Sequence, residues 1–127
     1  MKKITDEQIL SEIQKLPARK QQAVHSLDMV RIALEWLDAQ KKLNRPNKRS
    51  IGDKHDIEHW AGRYISATAV QVAANLHPEI KGTYPYFNIS SRLVRPNPRR
   101  LVNITEAGIH PSYFTVSYFD AKYYDEP

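Results

Sequence analysis

The stretch SATAVQVAANLHP (residues 66–78), followed by EIKGTYP (79–85), YFNISSRL (86–93) and VRPNPRRLVNITEAG (94–108), decides how this chain is read. Ser66 is a good N-cap, because its hydroxyl accepts from an early helical N–H, and Val70, Ala73, Ala74 and Leu76 form one small-residue face. Alanines on that face let a second helix approach closely. His77-Pro78 ends the helix, and the linker holds Gly82 and Pro85, both turn formers. Residues 86–93 predict a short helix with Phe87, Ile89 and Leu93 as buried anchors. Asn88, Ser90, Ser91 and Arg92 are then left outside, and such residues hydrogen-bond to base edges and phosphates. Two prolines around Asn97 predict a turn, and Leu101, Val102 and Ile104 a short strand.

A basic hairpin directly after a short polar helix is the layout of a wing. Residues 63–108 resemble a winged helix-turn-helix, and RRLVNITEAG (99–108) is similar to the basic wing, strand and L-T-E-x-G ending of MarR-like regulators. The resemblance implies binding to double-stranded DNA, usually as a homodimer with one recognition helix per half-site. Carried over by position, Tyr86–Leu93 is the recognition helix, and Arg95, Asn97, Arg99 and Arg100 form the wing. Within that helix Arg92 suits guanine and Asn88 suits adenine, with Tyr86, Ser90 and Ser91 beside them.

Charge is distributed as this reading requires. The chain of 127 residues carries 19 Lys+Arg against 14 Asp+Glu, a net charge of +5. Residues 1–40 sum to zero, 41–54 to +5, 55–80 to −2, 81–100 to +5 and 101–127 to −3. Two concentrated basic blocks point to a surface that meets a polyanion, whereas uniform positive charge would mean only solubility. Lys48 and Arg49 in the first block, and Lys81 with the wing arginines in the second, are assigned to phosphates.

Outward toward the N-terminus, Thr5 and Gln8 make a capping box for a helix reaching about Leu16, which Pro17 stops. A long helix is predicted over 17–43. Val24, Leu27, Val30, Leu34 and Leu37 form one apolar stripe, and Met29, Ala33, Trp36 and Leu43 a second. A helix apolar on two sides is either central to one subunit's core or shared between two subunits; the DNA reading favours the dimer. Asn44-Arg45-Pro46-Asn47 opens a basic loop reaching Lys54, and a short helix at 55–62 carries Ile57 and Trp60 inward.

The remaining features bound the function. With no cysteine there are no disulfides, thiolate zinc sites, iron–sulfur clusters or cysteine nucleophiles. No apolar run reaches the roughly 18 residues of a membrane span, and MKKITDE does not read as a signal peptide, so a soluble cytoplasmic protein is expected. His55-Asp-Ile-Glu-His59 matches the H-x-x-E-H pattern of inverted zinc peptidases, but a third ligand is not evident, Glu79 and Glu106 being the candidates. No metal, cofactor or catalytic residue is therefore assigned. The aromatic tail, with Tyr113, Phe114, Tyr118, Phe119, Tyr123 and Tyr124, is expected to pack, with a strand at 115–117.

The sequence thus predicts one domain that is mainly α with a small β-hairpin, a winged helix-turn-helix preceded by a long helix. Its predicted function is a non-enzymatic DNA-binding transcriptional regulator, a dimeric repressor. The alternative is a protein-interaction module, such as an inhibitor or antitoxin-like factor, using the aromatic tail and the two-faced helix.

Overall fold

The computed structural model describes residues 3–49, 52–114, 118 and 123–127, and shows a mainly helical chain with a small antiparallel hairpin. Helix α1 (Asp6–Gln14) opens on the expected capping box: the Thr5 hydroxyl accepts from the Gln8 N–H at 3.2 Å, and the Gln8 side chain accepts from the Thr5 N–H at 2.7 Å. Pro17 then leads into the single turn α2 (Ala18–Gln21).

The predicted helix 17–43 is interrupted. After α2 the chain restarts as α3 (Leu27–Ala39), with Ser26 as N-cap accepting from the Met29 N–H at 3.2 Å and Asp28 in the first turn. Serine competes for backbone hydrogen bonds in a way that favours caps over helix interiors, and the apolar stripe hid that break by continuing through Val24. Gln40, with φ −75° and ψ 152°, ends the helix before Leu43. Both stripes of α3 are covered within one chain: Met29, Val30, Ile32, Ala33, Leu34, Trp36 and Leu37 are all buried. The helix that argued for a dimer is thus a core helix in its own subunit.

Two further helices complete the core. In α4 (Lys54–Ala61), Asp53 and Asp56 form a second capping box, and Ile57 and Trp60 point inward. Gly62 closes α4 in the left-handed region (φ 61°, ψ 45°), and a Cβ there would run into the Phe114 ring. Helix α5 (Ala67–Leu76) is capped by Ser66 as expected, its hydroxyl accepting from the Ala69 N–H at 3.1 Å. It packs against α3 and α1, and Asn75 is its one exposed residue.

Past α5 the structure departs from the winged-helix layout. The hairpin lies earlier than expected, pairing β1 (Gly82–Thr83) with β2 (Tyr86–Phe87). No helix forms over 86–93. Leu101, Val102 and Ile104 make no strand; Pro98–Leu101 is a 3-10 turn instead. Pro96 and Pro98 have no N–H to give a ladder, and proline suits the first turn of a helix, so this segment winds and does not extend. β3 (Val94–Arg95) pairs in parallel with β4 (Tyr124–Asp125). The strand expected at 115–117 lies outside the described residues. Among the described residues no helix is long and apolar enough to cross a membrane.

Burial makes a direct prediction. Leu37 is fully enclosed whereas Val102 is 79% exposed. Leu37→Ala should cost about 2–5 kcal/mol of unfolding free energy, and Val102→Ala should stay within about 0.5 kcal/mol, both read from urea midpoints.

Candidate nucleic-acid interface

The two basic blocks, separated by a neutral-to-acidic stretch in sequence, lie side by side in the fold. Leu43 donates its N–H to the Asn88 carbonyl at 2.7 Å, Asn47 to the Phe87 carbonyl at 2.9 Å, and Ser90 to the Lys41 carbonyl at 2.8 Å. Lys42 and Ile89 form an antiparallel bridge. Residues 41–47 therefore run along 87–90 as an irregular ladder. Lys41, Arg45, Lys48, Arg49, Lys81 and Arg92 are exposed along these two segments and the adjoining hairpin. Tyr86, 49% exposed, stands at the hairpin.

That ladder explains why 86–93 is not a recognition helix. The backbone groups that would bond along a helix are spent on 41–47. Asn88, assigned to adenine from the sequence, is buried, and all of its amide is used internally. Its Nδ2 donates to the Leu43 and Glu79 carbonyls, each at 2.9 Å, and its Oδ1 accepts from the Lys81 N–H at 2.6 Å. Such side-chain bonding to the backbone competes with helix formation. Phe87, Ile89 and Leu93 are buried as expected, and Ser91 and Arg92 are exposed. The Ser90 hydroxyl accepts from the Arg92 N–H at 3.1 Å, a local turn. Arg92 lies over the Tyr124 ring, 5.0 Å from its centroid.

The wing residues divide. Arg95 and Arg99 are exposed. The side-chain oxygen of Asn97 caps the 3-10 turn by accepting from the Arg99 N–H at 2.9 Å. Arg100, expected on phosphate, is held by three carboxylates: Glu126 takes Nε at 2.8 Å and Nη2 at 2.7 Å, while Nη1 donates to Glu35 at 2.9 Å and Asp38 at 3.0 Å. The charge of Arg100 is spent inside the fold.

Asp38 connects this clasp to His77. The His77 Nδ1 accepts from the Glu79 N–H at 3.1 Å, so its proton sits on Nε2, which donates to Asp38 at 2.8 Å. Partial burial works to raise the Asp38 pKa, but hydrogen bonds from His77 and Arg100 and the nearby charges of Lys42 and Arg100 outweigh it and hold it below the ordinary range. The Arg100 hydrogen bond likewise lowers Glu126 and outweighs partial burial. Glu106, part of the resemblance to the MarR-like ending, is also structural. It accepts from Arg63 at 2.6 Å and from the Ser26 hydroxyl at 2.7 Å, tying the start of α3 to the chain after α4.

The H-x-x-E-H motif assembles no metal site among the described residues. Glu58 points inward, accepting from the Ile65 N–H at 3.0 Å and pairing with Lys54 at 2.9 Å. His59 stacks on Tyr118 with ring centroids 3.8 Å apart, and His55 sits beside Asp53. Of the tail aromatics expected to pack, Phe114 and Tyr124 are exposed and Phe119 lies outside the described residues, whereas Tyr118 and Tyr123 donate to Asp56 and pack on the core. Burial first, and then the Asp56 carboxylate, push both phenols above their usual range.

Comparison with protein-family profiles, with curated proteins and with solved structures finds no match to this chain. The surface is therefore read from its own chemistry.

Two outcomes follow. Asn88→Ala orphans three backbone groups and should lower stability by about 2–4 kcal/mol, seen in urea unfolding. Asp38 and Glu126 have depressed pKa values in the fold, so their stabilisation is present above the unfolded value of about 4 and is lost as pH falls through the folded value. Arg100→Met should cost about 2–3 kcal/mol at pH 7 and flatten the loss of stability between pH values of about 5 and 2. Denaturation midpoints across that range measure both; an unchanged acid limb would contradict the clasp.

Proposed function

We propose that this protein binds nucleic acid, with double-stranded DNA as the first partner to test, through phosphate contacts on the joined basic face. The observation that carries the reading is the ladder between 41–47 and 87–90, which brings two separate blocks of positive charge onto adjoining segments. Within the first block, the loop 41–49 is built differently from the paired cations: Arg31, Arg63 and Arg100 are each paired with an acid, whereas 41–49 contains no acidic residue. Exposed lysines and arginines that displace condensed counterions supply affinity without reading sequence.

A dimeric repressor acting on two half-sites would need an element that reads base edges as well. Asn88 is unavailable, and 86–93 is held against 41–47, so direct readout falls to Arg92, Ser91 and Tyr86. Binding is accordingly strong in its phosphate component and weak in sequence preference. Transcriptional regulation is the role in which such binding would serve, and the protein alone would tolerate many operators.

The test is a salt titration on a labelled random duplex. With about five phosphates neutralised, the log–log slope is about −4.5 and affinity falls roughly 500-fold from 50 to 200 mM salt. Lys48→Ala with Arg49→Ala should reduce the slope by about two, while Lys15→Ala, on the charge-balanced N-terminal segment and already paired with Glu12, should leave it unchanged. No binding at 50 mM salt overturns the proposal.

A further inference from the structure

The acidic segment 124–127 lies along the arginines that the wing was expected to offer. β4 pairs with β3 so that Asp125 stands opposite Arg95 and Tyr124 opposite Val94. Tyr124 donates its N–H to the Leu93 carbonyl at 2.9 Å, and Glu126 to the Arg95 carbonyl at 3.0 Å. The Glu126 carboxylate accepts from Arg100 through two nitrogens and from the Asn97 N–H at 2.8 Å, and Asn97 Nδ2 donates to the Pro127 carbonyl at 3.2 Å. The Tyr124 ring lies under Arg92. A guanidinium with a backbone N–H beside it is also a donor set that holds a phosphate oxygen.

The far side of β3 does not depend on this segment. Gln40, buried at the end of α3, accepts from the Val94 N–H at 3.0 Å and donates to the Val94 carbonyl at 2.8 Å, standing in for a neighbouring strand. β3 therefore keeps support if β4 leaves. Of the three carboxylates on Arg100, Glu35 and Asp38 belong to the rigid helix α3, and Glu126 alone rides on a two-residue strand. Three carboxylates around one guanidinium repel one another, so the carboxylate on the weakest element is the one that can be exchanged.

We propose that residues 124–127 are an exchangeable acidic cover on the edge of the basic face, occupying positions that nucleic-acid phosphates take when the segment is released. This rests on the nucleic-acid reading above and adds its regulation. Release exposes the Asn97 N–H, parts Arg92 from the Tyr124 ring and takes the Glu126 carboxylate from Arg100, which keeps Glu35 and Asp38. Segment and phosphate compete, so affinity for nucleic acid is set partly by how firmly β4 is held.

The experiment compares the full chain with Tyr124→Pro, which lacks the N–H given to Leu93 and leaves charge unchanged. On a labelled random duplex at 100 mM salt the variant should bind about three- to tenfold more tightly, with a log–log slope steeper by about one. Glu7→Gln, which removes an exposed negative charge on α1, should leave both unchanged. A second measurement needs no variant: in the unmodified chain, the Tyr124 and Glu126 amides should lose hydrogen-exchange protection as DNA saturates it. If DNA binds while those amides stay protected and Tyr124→Pro gains nothing, the cover is overturned and the basic face stands. If neither chain binds DNA, both readings fall.

Discussion

The amide of Asn88 holds two separated pieces of chain, the loop after α3 and the linker between α5 and the hairpin, against its own segment. It bonds to Leu43 on the loop after α3, to Glu79 after α5 and to Lys81 before the hairpin, all from a side chain that water does not reach. A buried amide left without partners costs free energy, so the arrangement that satisfies Asn88 excludes its competitors. One of those competitors is a helix over 86–93. The backbone ladder that Asn88 anchors then lays Lys41 to Asn47 against Phe87 to Ser90, and two charge blocks become neighbours.

The structure sorts its cations by the company they keep. Arg63 and Arg100 are drawn into polar clusters that fasten distant segments together: Arg63 with the Glu106 carboxylate and the Ser26 hydroxyl, Arg100 with the carboxylates of Glu35, Asp38 and Glu126. Ion pairs of this kind are partly desolvated and geometrically defined, and they hold the irregular C-terminal half on the helical core. Lys41, Arg45, Lys48 and Arg49 of the loop stay at the surface, where charges are screened by salt. Net charge alone does not separate these two populations.

What was legible followed from local chemistry. The Thr5–Gln8 box, the Ser66 cap, α4 and α5 were readable because a cap and its helix lie within a few residues of each other. The core positions Trp36, Leu37, Ile57, Val70 and Phe87 were readable from periodicity. The break at Ser26 was signalled by serine followed by Asp28, but the apolar stripe overrode it. Residues 86–108 were misread because their partners are remote. Ile89 pairs with Lys42, Asn97 with Glu126, and Arg100 with α3, none of which spacing within the segment reveals.

By itself, the sequence determined the helical core, its caps and the confinement of excess positive charge to two blocks, since each depends on neighbours within a few turns of chain. Tertiary structure decided that those blocks adjoin, that Asn88 and Arg100 face inward, and that 124–127 lie across the wing arginines. Backbone and side-chain hydrogen bonds between segments far apart in sequence determine these outcomes, and a buried polar group takes whichever partner the fold brings to it.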